Sequence, residues 1–326
     1  MTSLRLQFIH EPPANSRLSP WQPEWFQQQA DAHLAVLDPD QFEVARGSLW
    51  WTHAPPHPGH RPGILGHFAA ASLEAARKLL DGACERLREA GCTLAIGPMD
   101  GNTWRKYRLV TEPGTEPPFF LEPANPPEWP GYFVSAGFAV LATYTSSLNS
   151  DLSKRDPRAD RAAERLRKAG VAIRPLDPAD FADELRKIHA VSAVSFTHNF
   201  LYTELAESTF LAQYLPIQSK VRPELVLLAE HEGRPVGYLF AIPDFAQAQR
   251  GETIDTVIGK TLAVLPGKSY GGLGVVLTDE LQRTAHRLGY RRVIHALQHE
   301  QNNVRNMSEF YGPVMRRYAL FARALE

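Results

Sequence analysis

Cysteine is scarce in this sequence: Cys84 and Cys92 are the only two among 326 residues. Cys84 falls within a helical pattern and Cys92 just after it, so the two suggest no disulfide framework and fit a reducing, cytoplasmic environment. Long apolar runs are missing too. Because the sequence shows neither a segment long enough to span a bilayer nor a secretory signal pattern, we expect no membrane partner.

An excess of charge of either sign is absent as well. The chain has 35 Lys and Arg residues against 36 Asp and Glu, a formal net charge of -1, and we therefore expect no nucleic-acid partner. What is present is an ordinary globular composition, with 44% hydrophobic and 22% charged residues. The length predicts two domains. We place their boundary in the polar segment 151–160, which gives domains 1–150 and 151–326.

Residues 261–274 carry the clearest functional signal in the chain. Residues 261–265 are β-branched and apolar, which predicts a buried strand. Pro266 ends the strand because proline has no amide proton to donate. Glycines within 271–274 then allow a sharp turn and the close approach of a bulky ligand. A helical pattern follows, so the glycines lie at a helix N-terminus, where free amides and the helix dipole favour a phosphate.

This arrangement resembles motif A of the GCN5-related N-acetyltransferases, which reads strand, Leu-x-Val-x-Pro-x-x-Arg/Gln-x-x-Gly-x-Gly/Ala, helix. Ser269 departs from the motif, since the family usually has Arg or Gln there. The resemblance implies an α/β fold of two tandem domains, each a mixed β-sheet flanked by helices, and it implies acetyl-CoA as co-substrate. A strand-to-helix turn without a ligand is the alternative. The implied acetyl-CoA contacts are Leu262, Ala263, Val264, Ser269, Tyr270, Gly271, Gly272, Leu273, Gly274, Asn303 and Phe310.

The resemblance continues near the end of the chain. Asn303 stands seven residues before Phe310, in the register of the family's motif B, where an Asn precedes a helix that carries a tyrosine. Phe310 occupies the tyrosine's place and Tyr311 follows it. The resemblance therefore implies Tyr311 as the proton donor to the departing sulfur.

The same resemblance assigns two further tasks in acyl transfer. The backbone of Val264 is expected to polarise the thioester carbonyl, because the family's strands separate at that point. A base must take a proton from the amine. His299, Glu300 and Glu230 are candidates because they sit at or near predicted strand ends, although each is better explained as a solvated surface residue than as the base. Of the three, we select His299.

A strand, helix, strand pattern occurs twice in the chain. Helix 73–90 of the first copy matches helix 271–288 of the second at the same length, and each helix joins two strands that we expect to be parallel. In this alignment Glu74 takes the place of Gly272. A carboxylate there opposes a phosphate, so we predict that the first domain is a degenerate copy without acetyl-CoA.

The remaining patterns are less specific. Residues 25–37 are predicted to form a helix and 42–51 a strand. The three histidines of loop 53–60 have no carboxylate or cysteine beside them, which favours an exposed hairpin loop over a metal site. The proline-rich segment 113–129 is long and lacks periodicity. It forms either a wall of an acceptor pocket or a plug between the halves.

The function implied by the resemblance is N-acetyl transfer to a primary amine of a small molecule or peptide. Two other functions stay open. One is a non-enzymatic acyl-CoA-binding or sensing protein, and the other is a FemABX-like aminoacyl transferase, against which the near-neutral charge argues because charged tRNA would be its donor. The acceptor is left open, as is the choice between a monomer and a homodimer.

Overall fold

The computed structural model of the chain describes residues 4–301, 308 and 310–326, and these residues form one large mixed sheet flanked by helices. The predicted α/β fold class is confirmed. The strands are β1 (Arg5–Ile9), β2 (Ala32–Leu37), β3 (Glu43–Trp50), β4 (Pro62–Ala70), β5 (Leu94–Gly97), β6 (Leu109–Glu112), β7 (Ala139–Asn149), β8 (Val171–Pro175), β9 (Val226–His231), β10 (Arg234–Pro243), β11 (Thr256–Val264), β12 (Arg292–His299) and β13 (Val314–Ala324). The helices are α1 (Leu73–Glu89), α2 (Trp129–Ser135), α3 (Pro157–Lys168), α4 (Phe181–Ser195), α5 (Glu207–Tyr214), α6 (Phe245–Gln249) and α7 (Leu273–Arg287).

The two halves of the chain exchange a strand. The sheet order is β1-β2-β3-β4-β5-β13-β7-β12-β11-β10-β9-β8, and β6 also pairs with β13. The last strand, β13, pairs antiparallel with β5 of the first half, while β7 of the first half pairs antiparallel with β12 of the second. Each half therefore completes the sheet of the other, and the halves cannot separate without breaking both pairings.

The predicted repeat is present, but its two copies differ in length. In both copies a helix joins two parallel strands, β4 to β5 and β11 to β12. Ala71 and Ser72 alone separate β4 from α1, whereas residues 265–272 separate β11 from α7. The alignment at equal length was therefore wrong, because the second copy has a longer connection. Matched by helix start, Gly272 corresponds to Ser72 and Gly274 to Glu74.

The predicted helix at 25–37 is wrong. The structure has a short 3₁₀ turn at Pro23–Gln27, followed by β2, which pairs with β1 and β3. Residues 33–37 are all buried. A short apolar run buried on both faces of a sheet has no periodicity that distinguishes it from a helix. The predicted strand at 42–51 is confirmed by β3, and loop 53–60 joins β3 to β4 in a hairpin.

Helices cover both faces of the second half of the sheet. α7 packs on one face through Leu273, Leu277, Leu281 and Ala285, at helical spacing. α4 covers the other face through Phe181, Leu185 and Ile188. Among the described residues, no helix is long and apolar enough to cross a membrane. The strands between α4 and α7 hold the candidate site.

Candidate functional site

Strands β11 and β12 separate part-way along their length. They pair in parallel from Thr256 opposite Arg292 to Gly259 opposite His295. Both strands then continue, β11 to Val264 and β12 to residue 299, without pairing to each other. An opening therefore lies in the sheet between the C-terminal ends of two parallel strands, where α/β folds commonly bind their ligands.

A β-bulge explains why the strands separate. Phe240 of β10 pairs with Thr261 of β11, while the next residue, Ala241, pairs with Gly259. Lys260 is therefore an extra residue in β11. A bulge of this kind bends its strand, and the pairing to β12 ends at Gly259, immediately before the bulge.

Backbone groups of β11 face this opening. The Leu265 amide donates to the Val236 carbonyl on the β10 side, at 2.9 Å. Because successive residues of a strand direct their amides to opposite edges, the amides of Val264 and Leu262 point to the edge that β12 leaves free. The amide predicted to polarise a carbonyl, that of Val264, therefore faces the opening.

The N-terminus of α7 has no side-chain cap. Its N-cap residue, Gly272, has a left-handed conformation (φ 80°) and no side chain to accept a hydrogen bond. The amides of residues 273–275 have no acceptor within the helix. The Arg165 guanidinium of α3 donates to the Gly271 carbonyl and places a cation beside the turn. Gly271 and Gly272 are exposed, so the turn presents amides and positive charge to solvent.

A cavity of about 1120 Å³ passes through the opening. Its lining residues come from α4 on one face of the sheet and α7 on the other. The first half of the chain contributes segment 103–108 and the loop residues 121–124. Much of the wall is aromatic, with Trp104, Tyr107, Phe196, Phe200, Phe210 and Tyr214 among the lining residues.

Segment 113–129 forms a wall of the cavity and also packs against the second half of the chain. Its residues 121–124 line the cavity, and Phe119 is buried in the core of the second half. The Phe120 amide donates to Asp244 Oδ1 at 2.7 Å. The segment is therefore a wall of the cavity that is fixed to the second half of the chain.

Two solved structures with a similar fold are described as GCN5-related N-acetyltransferases. One is the GCN5-related glucosamine N-acetyltransferase region of a fungal multi-domain GH3 β-N-acetylglucosaminidase, at a TM-score of 0.58 and 12% identity over 99% of this chain. Another is a GCN5-related N-acetyltransferase from Sphaerobacter thermophilus, at a TM-score of 0.52 and 13% identity over 90% of this chain and 81% of that one. This chain has the GCN5-related N-acetyltransferase fold.

The comparisons extend no further than the fold. This chain spans 38% of the length of the fungal chain. Eis1 from Mycobacterium abscessus also matches, at a TM-score of 0.50 and 10% identity, over 99% of this chain and 74% of that one. No family model and no curated protein matches the sequence. The predicted resemblance to the acetyltransferases is thus confirmed as a likeness of fold.

Tyr311 does not line the cavity, although it packs on His295, which does. Tyr311 is 4% exposed, and its hydroxyl donates to Asp279 Oδ1 of α7 at 3.1 Å. Its ring stacks on His295, with 5.6 Å between centroids. Phe310 precedes it, and its carbonyl accepts a hydrogen bond from Lys154. Asn303 lies outside the described residues, so motif B is described only in part.

The other predicted ligand contacts divide between the opening and the turn. Leu262 lines the cavity, whereas Ala263 is buried in the core. Ser269 is exposed on the turn. The Tyr270 hydroxyl lies 3.3 Å from His231 Nδ1. Turn and cavity are therefore joined through β11, with the uncapped N-terminus of α7 at one end and the aromatic wall at the other.

The three candidate bases have different surroundings. Glu300 accepts from Arg317 at 3.0 Å, and Glu230 accepts from Arg174 at 2.6 Å. Neither carboxylate lines the cavity, whereas His299 does. Ion pairing therefore occupies both carboxylates, and among these three residues only His299 faces the site.

The electrostatics around His299 keep the ring neutral. Burial and the nearby Arg108 guanidinium lower the pKa of His299 below its ordinary value of 6.5. The Gln301 amide donates to Nδ1 at 3.1 Å, so in this tautomer Nε2 carries the ring proton. Nε2 is buried and has no hydrogen-bond partner among the described residues.

The equivalent opening in the first half is filled by its own chain. The β4–β5 pairing ends at Ile64, as the β11–β12 pairing ends at Gly259. Here, however, the Met99 amide donates to the Leu65 carbonyl at 2.8 Å. The His67 amide donates to Asp100 Oδ1 at 2.6 Å. The amides that would face a ligand are therefore already bonded.

Among the cavity residues that sequence reasoning did not select are two cations, Lys260 and Arg108. Lys260 is the one charged residue in the otherwise uncharged run 256–264, and a charge in a buried strand is a signal that could have identified it. Arg108 belongs to the aromatic and basic segment that follows β5. Nothing in the sequence places it opposite β11, because that contact joins the two halves.

Proposed function

We propose that this protein transfers an acetyl group from acetyl-CoA to a primary amine of a small molecule or peptide. The proposal rests on the opening between β11 and β12, which connects an uncapped helix N-terminus to an aromatic cavity. Acyl transfer from a nucleotide thioester needs anion-binding amides at one end and a path for the amine at the other. The fold supports the same reading.

The chain's own groups fit the two ends of acetyl-CoA. The amides of residues 273–275, with Arg165, are suited to a diphosphate because they combine free N–H donors with a cation. The Val264 amide is suited to donate to the carbonyl oxygen, where negative charge develops during the reaction. Acetyl-CoA supplies the acetyl group and a thiolate leaving group.

His299 is our candidate for accepting the proton of the amine. It lines the cavity, and its lowered pKa keeps it neutral at neutral pH, as a base must be. Proton uptake at Nε2 requires the tautomer in which Nδ1 carries the proton, so the Gln301 contact must yield. A His299→Gln variant should therefore lower kcat and remove the acidic limb of the pH profile.

We extend the proposal to the first half, which acts as a scaffold without acetyl-CoA. The bonded amides of Met99 and His67 support this assignment. The hydroxyl of Ser72 also accepts from the Ala75 amide at 3.2 Å, which occupies the N-terminus of α1. One molecule of acetyl-CoA is thus expected per chain.

Calorimetric titration with acetyl-CoA tests the binding half of the proposal, and release of free thiol in the presence of an amine panel tests the reaction. We expect a stoichiometry of one and amine-dependent thiol release. Binding without thiol release from any amine would favour a non-enzymatic acyl-CoA-binding protein. Absence of binding would refute the proposal.

A further inference from the structure

We propose that the cavity binds a carboxylate group of its substrate at Arg108 and Lys260. The inference rests on the proposed acyl transfer and names the class of substrate. In the simplest case the acceptor is an amino acid, whose amine reacts while its carboxylate is held. The alternative source of the same group is the acyl chain of a dicarboxylic acyl-CoA.

Arg108 is a buried cation with no counter-ion in the part of the chain that the structure describes. It is 6% exposed, and its guanidinium lies over the rings of Tyr107 and Tyr144, at 3.9 Å and 4.2 Å from their centroids. One donor reaches the Leu297 carbonyl at 3.3 Å. Nε is buried with no partner, and no carboxylate forms an ion pair with Arg108 among the described residues. A buried, unpaired charge is costly, and the planar guanidinium matches a carboxylate in shape.

Lys260 supplies a further cation to the cavity, which Arg105 and Lys106 of the first half also line. Lys260 is the extra residue of the β11 bulge, and its side chain forms no hydrogen bond or ion pair with the described part of the chain. Burial and the nearby charge of Arg108 lower the pKa of Lys260 to about 8. Two cations that repel each other, without an anion to balance them, favour a negatively charged ligand.

Among the described residues, no carboxylate is free to neutralise this pair. Glu122 is the only carboxylate among the described residues that line the cavity. Glu122 is near enough to offset part of the lowering of the Lys260 pKa. Its carboxylate, however, is bonded to Arg316 and to the Tyr318 hydroxyl. The Phe119 amide also donates to it, at 3.1 Å. Its charge is therefore committed to Arg316.

The rest of the cavity indicates what accompanies the carboxylate. Aromatic rings from both halves of the chain, such as Trp104, Phe200 and Tyr214, form its walls. His299 faces the same space and packs at 5.0 Å from the Tyr144 ring, against which Arg108 also packs. Carboxylate site and candidate base are therefore neighbours. A compact amine with an apolar body and a carboxylate close to the amine fits this arrangement.

The test compares each proteinogenic L-amino acid with its own amide as acceptor for acetyl-CoA. We expect kcat/KM for at least one amino acid to exceed that for its amide by at least about tenfold, the range for a hydrogen bond to a charged group. Arg108→Gln and Lys260→Gln should each remove that preference, and Arg108→Lys should restore part of it. Arg77→Gln and Lys78→Gln, which remove exposed charges on α1, should leave it unchanged.

A second arm separates the two sources of the carboxylate. Succinyl-CoA is compared with acetyl-CoA, with the amides as acceptors. A preference for succinyl-CoA that Arg108→Gln removes would keep the carboxylate site and place the group on the acyl chain. If neither arm shows a preference for a carboxylate in the wild type, or if Arg108→Gln retains it, the inference is overturned.

A binding measurement distinguishes this failure from failure of the proposed function. The melting temperature is measured with 3-phenylpropionate and with phenethylamine, without any acyl-CoA. Stabilisation by the acid in the wild type but not in a folded Arg108→Gln variant would support the site even if no amine is acetylated. Equal effects of the acid on both proteins would count against it.

Discussion

Ser72 and Gly272 occupy the same place at the starts of the two crossover helices, and only Ser72 caps its helix. The Ser72 hydroxyl accepts from the Ala75 amide at 3.2 Å, whereas Gly272 has no side chain to offer. The first helix therefore bonds one of its own terminal amides through a side chain, and the second does not. This difference is the reason why we expect acetyl-CoA to bind in the second half alone.

Substitution of Gly274 tests whether the N-terminus of α7 binds the diphosphate of acetyl-CoA. Gly274 corresponds to Glu74 of the first half, lies in the first turn of α7, and is helical. A Gly274→Glu variant should fold, because a carboxylate in the first turn stabilises a helix, but it should repel a diphosphate. We expect calorimetric affinity for acetyl-CoA to fall by roughly tenfold or more. Gly274→Ala should bind like the wild type, and unchanged affinity in Gly274→Glu would contradict the assignment.

The variant that the sequence alone suggests, Gly272→Glu, is less informative. Gly272 has φ 80°, and a Cβ added there would lie 3.0 Å from the Cβ of Ala162. Any side chain at this position strains the backbone. Loss of binding in Gly272→Glu would therefore combine a charge effect with a structural one.

The Val264 amide is the next group to test. The N–H of Val264 faces the opening rather than β10. Proline at position 264 therefore removes this donor without removing a hydrogen bond between β10 and β11. We expect Val264→Pro to lower kcat by roughly a hundredfold, as for loss of one oxyanion donor, with little change in affinity for acetyl-CoA. Val264→Ala keeps the amide and should keep kcat. Equal activity of the two variants would argue against a role for this amide.

Local signals explain what the sequence could predict. Pro266 ends β11, and the glycines of 271–274 precede α7, because both residue types act through their own backbone. Helix α1 was predictable from signals that are equally local, since the Ser72 side chain caps it and its apolar spacing is regular. The acetyltransferase fold and the position of its turn therefore follow from short stretches of the chain.

Features that depend on pairing between distant strands were not predictable. The bulge at Lys260 exists only in the register of β10 against β11. The exchange of β7 and β13 is set by which sheet edge each strand meets, and this depends on strands that are distant in the sequence. The helix predicted for residues 25–37 was wrong because a strand buried on both faces lacks helical or alternating periodicity. The cationic pair Arg108 and Lys260 required both halves to be in place.

Substitution of Tyr311 tests the proton-donor role that the resemblance of the sequence implies. The Tyr311 hydroxyl donates to the buried carboxylate of Asp279. Removing the hydroxyl therefore takes one hydrogen bond from this carboxylate. We expect Tyr311→Phe to lower the free energy of unfolding by about 1 kcal/mol and to leave kcat nearly unchanged, measured by urea unfolding and by thiol release. A large fall in kcat at unchanged stability would instead establish the proton-donor role.

Stability at acidic pH tests the buried imidazole of His295. Full burial lowers the pKa of His295 from 6.5 to about 4, and Gln282 and Ser308 contact its two ring nitrogens. Because the unfolded chain binds this proton first, the stabilisation is complete above pH 6.5 and is lost as pH falls from there towards 4.

The measurement is urea unfolding at neutral and at acidic pH. We expect the wild type to lose roughly 3 kcal/mol from this group across that window, and His295→Gln, which cannot titrate, to lose correspondingly less. His286→Gln on the exposed face of α7 is the matched control and should follow the wild type. The same acid sensitivity in all three proteins would show that other groups govern the loss.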